Sequence, residues 1–132
     1  MIECLKELIK VEKNWIPDRP LHSLYIRPTS ICMDNKIGLS RVKKMKTFVV
    51  LSPVGPYYPR GFVPTKLYCD TQHVRAWPLG FGDKKIGGNY APTMKTAKDA
   101  QLKHGSDQVL WLLHDHVTEA GTSNFFVFWR NE

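Results

Sequence analysis

The chain has 132 residues, with Lys+Arg 19 against Asp+Glu 12 and a formal charge of +7. Apolar residues make up 42% and charged residues 23%, a globular composition that excludes intrinsic disorder. The length supports about one domain, and no apolar run approaches the roughly 20 residues needed to cross a bilayer. The opening stretch, Met1 to Val11, carries Glu3 and Glu7 and no long apolar segment, so neither a secretory signal nor a transit peptide is expected.

Ile2, Leu5, Leu8 and Ile9 lie at helical spacing with Lys6, Glu7 and Lys10 opposite, which predicts an amphipathic helix over residues 2–12. Pro17 and Pro20 end that pattern. Ser23 to Arg27 alternates apolar and polar side chains and reads as a strand running up to Pro28; Thr47 to Leu51 is a second β-rich run. Pro53, Gly55, Pro56, Pro59, Gly61 and Pro64 then crowd one stretch. Four positions there cannot donate to a ladder, so it reads as a linker between two structural units. Beyond it, Lys66 to Cys69 and His73 to Trp77 are expected as short strands. Ala91 to His104 has helix-forming composition, with Pro92 near the first turn and Gly105 just past the end. Gln108 to Leu113 and Asn124 to Trp129 are further strand candidates separated by a turn, the last reaching the end of the chain at Arg130, Asn131 and Glu132. No internal repeat is present. Helix, strands, linker, strands, helix and strands make a mixed α+β fold class.

Cys4, Cys32 and Cys69 are odd in number and far apart, which fits neither a disulfide framework nor a Cys-x-x-Cys metal site. Buried or half-buried thiols in a reducing compartment are expected, hence a cytoplasmic location with a mitochondrial one left open. Between Arg27 and Lys66 stand eight bases (Arg27, Lys36, Arg41, Lys43, Lys44, Lys46, Arg60, Lys66) and one acid, Asp34. Such a cluster can be a phosphate footprint. No aromatic residues interleave with it, so a solvated strand edge carrying gatekeeper lysines is the preferred reading.

The most unusual stretch is Gly80-Phe81-Gly82-Asp83-Lys84-Lys85-Ile86-Gly87-Gly88-Asn89-Tyr90. It lacks the third glycine of a dinucleotide fingerprint. Gly82 and Gly87 are spaced as in a P-loop, but Gly88-Asn89 replaces the Lys-Ser/Thr that would hold phosphate and magnesium. Lys84 and Lys85 are adjacent, so one of the two is expected to point inward. A lysine drawn into a partly dry site gives up its proton more readily and becomes a nucleophile for carbonyls. Aldehyde cofactors such as pyridoxal phosphate use such a lysine together with an acid near the pyridine nitrogen. Glu119, in Thr118-Glu119-Ala120-Gly121-Thr122-Ser123-Asn124, is a candidate acid. It stands in a small-residue turn between apolar strands, where an unpartnered charge is costly. His114 and His116 form a pair without a third ligand nearby, so a solvated turn is expected and no metal.

These residues resemble the branched-chain amino acid aminotransferases among the fold-type IV pyridoxal-phosphate enzymes. The likeness runs from the first helix to Trp129 and is densest in six blocks in the same order. They are Ser23-Leu24-Tyr25-Ile26-Arg27-Pro28-Thr29, Leu51-Ser52-Pro53-Val54-Gly55-Pro56-Tyr57, Val74-Arg75-Ala76-Trp77, Gly87-Gly88-Asn89-Tyr90, Gln108-Val109-Leu110-Trp111-Leu112 and Thr118-Glu119-Ala120-Gly121-Thr122. The resemblance implies that Lys85, before the Ile-Gly-Gly step, carries the cofactor and shuttles the proton. It makes Glu119 the partner of the pyridine nitrogen and Tyr90 the partner of the phenolic oxygen, and it adds Arg75 to the cofactor-binding residues. Lys84 stands where the family tolerates other residues. Thr122 lies where the family contacts substrate, and Tyr25, Arg27 and Tyr57 correspond to residues shaping an aliphatic substrate pocket. Leu39, in Ile37-Gly38-Leu39, resembles a loop reaching into a neighbouring subunit's pocket.

The resemblance also implies an organisation: residues 1–54 as the C-terminal part of a small α+β domain, 55–65 as an interdomain linker, and 66–132 as the first part of a large cofactor-binding domain. The expected activity is transamination from leucine, isoleucine or valine to 2-oxoglutarate through pyridoxal 5'-phosphate, in a homodimer, with no nucleic acid or membrane partner. Two departures stand out. The turn Leu113-His114-Asp115-His116-Val117 is shorter than usual, and the helix between Tyr90 and Gly105 is about a residue longer, which rotates a helix face by roughly 100°. The family's Cys-x-x-Cys redox switch lies later than this sequence reaches. Its phosphate-gripping arginine and threonine contacts are also absent, so weak cofactor affinity is expected. The alternatives are an inactive homologue keeping a dimerisation or ligand surface, and a basic nucleic-acid-binding domain.

Overall fold

A computed structural model of the chain describes residues 1–130; Asn131 and Glu132, at the end of the expected large-domain part, lie outside the described residues. The described chain divides into two compact units, Met1–Val63 and Pro64 onward. Both helices and sheets are present, so the mixed α+β class expected from the sequence holds.

In the first unit, helix α1 (Ile2–Val11) turns its apolar positions Leu5, Leu8 and Ile9 to the half-buried side, and Lys6 and Lys10 pair with Glu3 and Glu7 on the outside. Strands β1 (Ser23–Cys32) and β2 (Met45–Val54) form a two-stranded antiparallel ribbon in continuous register from Ser23↔Val54 to Cys32↔Met45. Both are longer than expected, running through Pro28 and Pro53. A two-stranded ribbon has an outer edge on each strand, and a proline whose missing N–H would face outward costs no ladder bond. The connecting loop is closed by Asp34, whose carboxylate accepts the backbone N–H groups of Lys43 and Lys44 at 2.7 and 2.9 Å. Ile37 and Leu39 at its tip are fully exposed.

Pleating sorts the ribbon into two faces. One bears Ser23, Tyr25 and Arg27 beside Val50, Ser52 and Val54. The other carries Val49 and Leu51, which line a cavity together with Leu8, Glu12 and Trp15. No described residue of this unit is fully buried.

The second unit holds the core. Strand β3 (Leu67–Asp70) pairs in parallel with β4 (Gln108–Leu113), the crossover between them containing helix α2 (Thr93–His104). Strand β5 (His116–Ala120) adds antiparallel to β4, giving the order β3-β4-β5. Alternation along β4 turns Val109 and Trp111 to the same face, where they pack with Ala100 of α2 and the half-buried Tyr68. Helix α2 ends as predicted, with Gly105 in the left-handed conformation at φ 59 and its N–H on the Gln101 carbonyl, the conformation in which glycine pays no Cβ penalty. His114 and Asp115, both at positive φ, make the two-residue turn between β4 and β5.

Four expectations are corrected here. His73 to Trp77 is not a strand: the buried Asp70 carboxylate takes the N–H groups of Gln72 and His73 at 2.7 and 2.8 Å, folding the chain back in place of a ladder. Asn124 to Trp129 is not a strand either. Phe126, Phe128 and Trp129 are exposed, and no described strand lies alongside to pair with them. Glu119 sits inside β5 and not in a turn, because the reversal comes earlier, at His114-Asp115. All three cysteines are exposed: Cys4 and Cys32 belong to the unit without buried residues, and Cys69 alternates with Tyr68 and Asp70 onto the opposite face of β3.

Burial pushes the Asp70 carboxyl up, but the hydrogen bonds and charge of His73 with the Gln72 N–H outweigh it and hold the group below its ordinary value. A depressed carboxylate contributes stability that is present above the unfolded-state pKa of about 3.9 and is lost as pH falls through the folded-state value. In Asp70→Asn that contribution is missing. Denaturant melts between neutral and acid pH should therefore show a shallower acid loss of stability in the variant than in the wild type.

Candidate functional site

The sequence between β3 and α2 is short of regular structure and rich in glycine, so side-chain hydrogen bonds decide its path. The Asn89 amide donates to the carbonyls of Phe81 and Lys84 at 2.6 and 2.8 Å, fastening the turn that precedes Lys85 to the start of the helix region. Gly82 packs so closely on the chain before it that a Cβ there would stand 2.5 Å from the Ala76 Cβ, which makes glycine obligatory. On the other side, Gly121 donates its N–H to the Val109 carbonyl at 2.7 Å, and the Gln108 side-chain oxygen accepts the Thr122 N–H at 3.0 Å. The segment after β5 is thereby tied to the start of β4.

These constraints converge on one cleft of about 160 Å³, lined by Arg75, Lys84, Lys85, Tyr90, Glu119 and Thr122 with Gly82, Asp83, Gly121, Ser123 and Asn124. The Lys85 ammonium nitrogen lies 5.0 Å from the Tyr90 ring centroid, and the Arg75 guanidinium carbon 5.2 Å from it. Arg75 Nη2 is 3.8 Å from Glu119 Oε2, an ion pair in which the arginine side chain is 4% exposed and the carboxylate 32%. Glu119 Oε1 also accepts the Ala120 N–H at 3.0 Å. The charge that was costly without a partner therefore finds one in Arg75.

Both Lys84 and Lys85 border the cleft, because this stretch is a turn and not a strand with alternating sides, and both are exposed. The inward-pointing lysine in a dry site is corrected accordingly. The Lys84 nitrogen sits 2.5 Å from Asp83 Oδ2, and that hydrogen bond holds the Asp83 carboxyl below its ordinary value. Asn89 and Gln108 were not singled out as site residues in the sequence. Asn89 stood within the glycine-rich stretch, where an amide among glycines signals side-chain stapling of a turn; Gln108 carried no signal, since its partners lie 14 and 15 residues away.

The residues assigned to substrate fall elsewhere. Tyr25, Arg27 and Tyr57 line a cleft of about 720 Å³ on one ribbon face of the first unit, with Leu21, Val50, Val54 and Pro56 among its apolar walls. The Arg27 guanidinium lies over the Tyr25 ring at 5.0 Å and donates to its hydroxyl at 3.4 Å. Leu39 borders neither cleft. Among the described residues, no group of three or more His, Cys, Asp or Glu is placed to hold a metal, and no helix is long and apolar enough to cross a membrane.

Leu79, in the bend beside Gly80 and Gly82, is held at φ 64 with its side chain exposed. A leucine there carries the left-handed penalty of about 1–2 kcal/mol, partly offset by the backbone freedom that glycine loses. Leu79→Gly should therefore raise stability by about 0.5–1 kcal/mol in a denaturant melt, with the cleft unchanged.

Along its length the chain is similar to proteins of one name. It is 52% identical over 131 residues to a branched-chain-amino-acid aminotransferase of Dictyostelium discoideum, covering 99% of this chain and 34% of that protein. Against the mitochondrial branched-chain-amino-acid aminotransferase of Rattus norvegicus the identity is 46% over 135 residues, covering 100% and 34%. Against the cytosolic enzyme of that name in Caenorhabditis elegans it is 44% over 134 residues, covering 100% and 32%. No protein-family model matches the chain. Relatives thus include cytosolic and mitochondrial forms, and the chain spans about a third of their length. Over its whole length the chain is thus similar to about one third of proteins named branched-chain-amino-acid aminotransferase.

Proposed function

We propose that the cleft of the second unit is the cofactor end of a pyridoxal-phosphate-dependent transaminase site acting on branched-chain amino acids, with 2-oxoglutarate as the amino acceptor. The observation that carries this reading is the convergence of an amine, a phenol and a carboxylate, Lys85, Tyr90 and Glu119, on one small cleft beside a buried guanidinium. That donor set fits the cofactor. Lys85 would hold it through its aldehyde, Tyr90 through its phenolic oxygen and Glu119 through its ring nitrogen. Pyridoxal phosphate, when bound, supplies an electron sink for the pair left when the Cα–H bond of an amino acid breaks.

The chain's own groups supply the rest. The Lys85 amine would take the Cα proton and return it, a positioned general base worth typically ~10²–10⁴-fold in rate. Glu119 would present its carboxylate to the ring nitrogen. Thr122, in the lining of the cleft, meets the substrate. In the first unit, Tyr25 and Tyr57 give an aromatic and aliphatic wall suited to a branched side chain, with Arg27 as the cation beside it. The fold-type IV arrangement, a homodimer and the reach of Leu39 into a neighbouring copy belong to the same proposal.

The test is keto-acid formation from leucine by the chain at saturating pyridoxal phosphate. Wild type should form 4-methyl-2-oxopentanoate, and Lys85→Ala should lose at least about 10²-fold of that rate. Keto acid formed equally by Lys85→Ala would overturn the reading. Cofactor bound without any keto acid would favour the second one, an inactive homologue that keeps a ligand surface. The exposed apolar residues Phe126, Phe128 and Trp129 are the feature that favours this alternative.

A further inference from the structure

We propose that Arg75 is the positioning residue of the cleft: it fixes Glu119 and Tyr90 relative to the turn that leads into Lys85, and acts through them rather than by gripping the cofactor. The proposal rests on the reading of the site given above. Two parts of the turn region between β3 and α2 and the distant strand β5 meet at this one side chain. Glu119 comes from β5, with its Oε2 at 3.8 Å from Nη2. Gly82 comes from the turn before Lys85, and its carbonyl accepts from Nη1 at 3.5 Å. Tyr90 comes from the start of the α2 region, with its ring 5.2 Å from the guanidinium carbon.

Burial makes this arrangement selective. A guanidinium with 4% of its side chain exposed has to be met by acceptors and a ring face from the protein. Its planar fork presents donors in fixed directions: one is taken by the Gly82 carbonyl, and the other arm lies within ion-pair distance of Glu119. The close seating of Gly82 on Ala76 keeps the turn within reach of the fork. A lysine at this position would keep the charge but lose the fork, and a glutamine would lose both.

The experiment titrates wild type, Arg75→Lys and Arg75→Gln with pyridoxal phosphate up to millimolar concentration. It reads the visible absorbance of lysine-bound cofactor as a function of pH, with circular dichroism reporting the fold. Wild type should give the band. Arg75→Gln should need at least about tenfold more cofactor for half-saturation and should change the pH at which the band shifts. Arg75→Lys should restore the pH profile while keeping a several-fold weaker half-saturation. A purely structural role would lower the melting temperature and leave the pH profile of the folded fraction unchanged. Arg75→Gln with the half-saturation and profile of the wild type would overturn the positioning role alone. Should Arg75→Gln not fold, an Arg75→Lys half-saturation equal to wild type overturns it. A wild type with no band overturns the underlying reading of the site as well.

Discussion

A buried guanidinium is the constraint around which the second unit is arranged. Removing one partner from a buried ion pair costs about 3–5 kcal/mol, because the other charge is left without water or a counter-ion. At 3.8 Å the Arg75–Glu119 contact is an ion pair rather than a direct hydrogen bond, and Glu119 keeps about a third of its surface in solvent. The bond therefore tolerates adjustment at the carboxylate while fixing the arginine. What surrounds it follows from that need: a glycine at position 82 so that a carbonyl can approach, Tyr90 offering a ring face, and β5 held on β4 so that Glu119 faces inward.

The two units differ in how they are held together. The second has a small core of Ala100, Val109 and Trp111 beneath a βαβ crossover, and its turns are stapled by Asp70, Asn89 and Gln108. The first is a helix and a two-stranded ribbon with no fully buried residue, and Ile26, Phe48 and Val50 remain exposed on it. A two-stranded ribbon is marginal in water by itself. The aromatic cleft with Tyr25, Arg27 and Tyr57 therefore lies on the less supported of the two units, while the lysine, phenol and carboxylate lie on the better supported one.

The parts of this fold governed by local chemistry were legible in the residues. Helix α1 followed from its apolar spacing, α2 from Pro92 and Gly105 at its ends, and β4 from its run of β-formers. The parts governed by distant partners were not. The extension of the ribbon through Pro28 and Pro53 depends on which edge each proline faces, which register decides. The fold-back after Asp70 depends on a carboxylate that caps two N–H groups, and the exposed path of Asn124 to Trp129 on the lack of a neighbouring strand among the described residues. The candidate site was legible in the same divided way. Lys85, Tyr90 and Glu119 could be named from the residues and their resemblance. The Arg75–Glu119 pairing could not, because 44 positions of sequence separate its members and only the β3-β4-β5 order joins them.

The central claim is that the cleft singles out one lysine of two adjacent ones as the cofactor's attachment point. Incubating the chain with pyridoxal phosphate, reducing with borohydride and mapping the modified peptide by mass spectrometry tests it most directly. The pyridoxyl group should be found on Lys85, with Lys84 left unmodified beside Asp83. A label on Lys84, or one spread over the surface lysines in proportion to their exposure, would contradict the account.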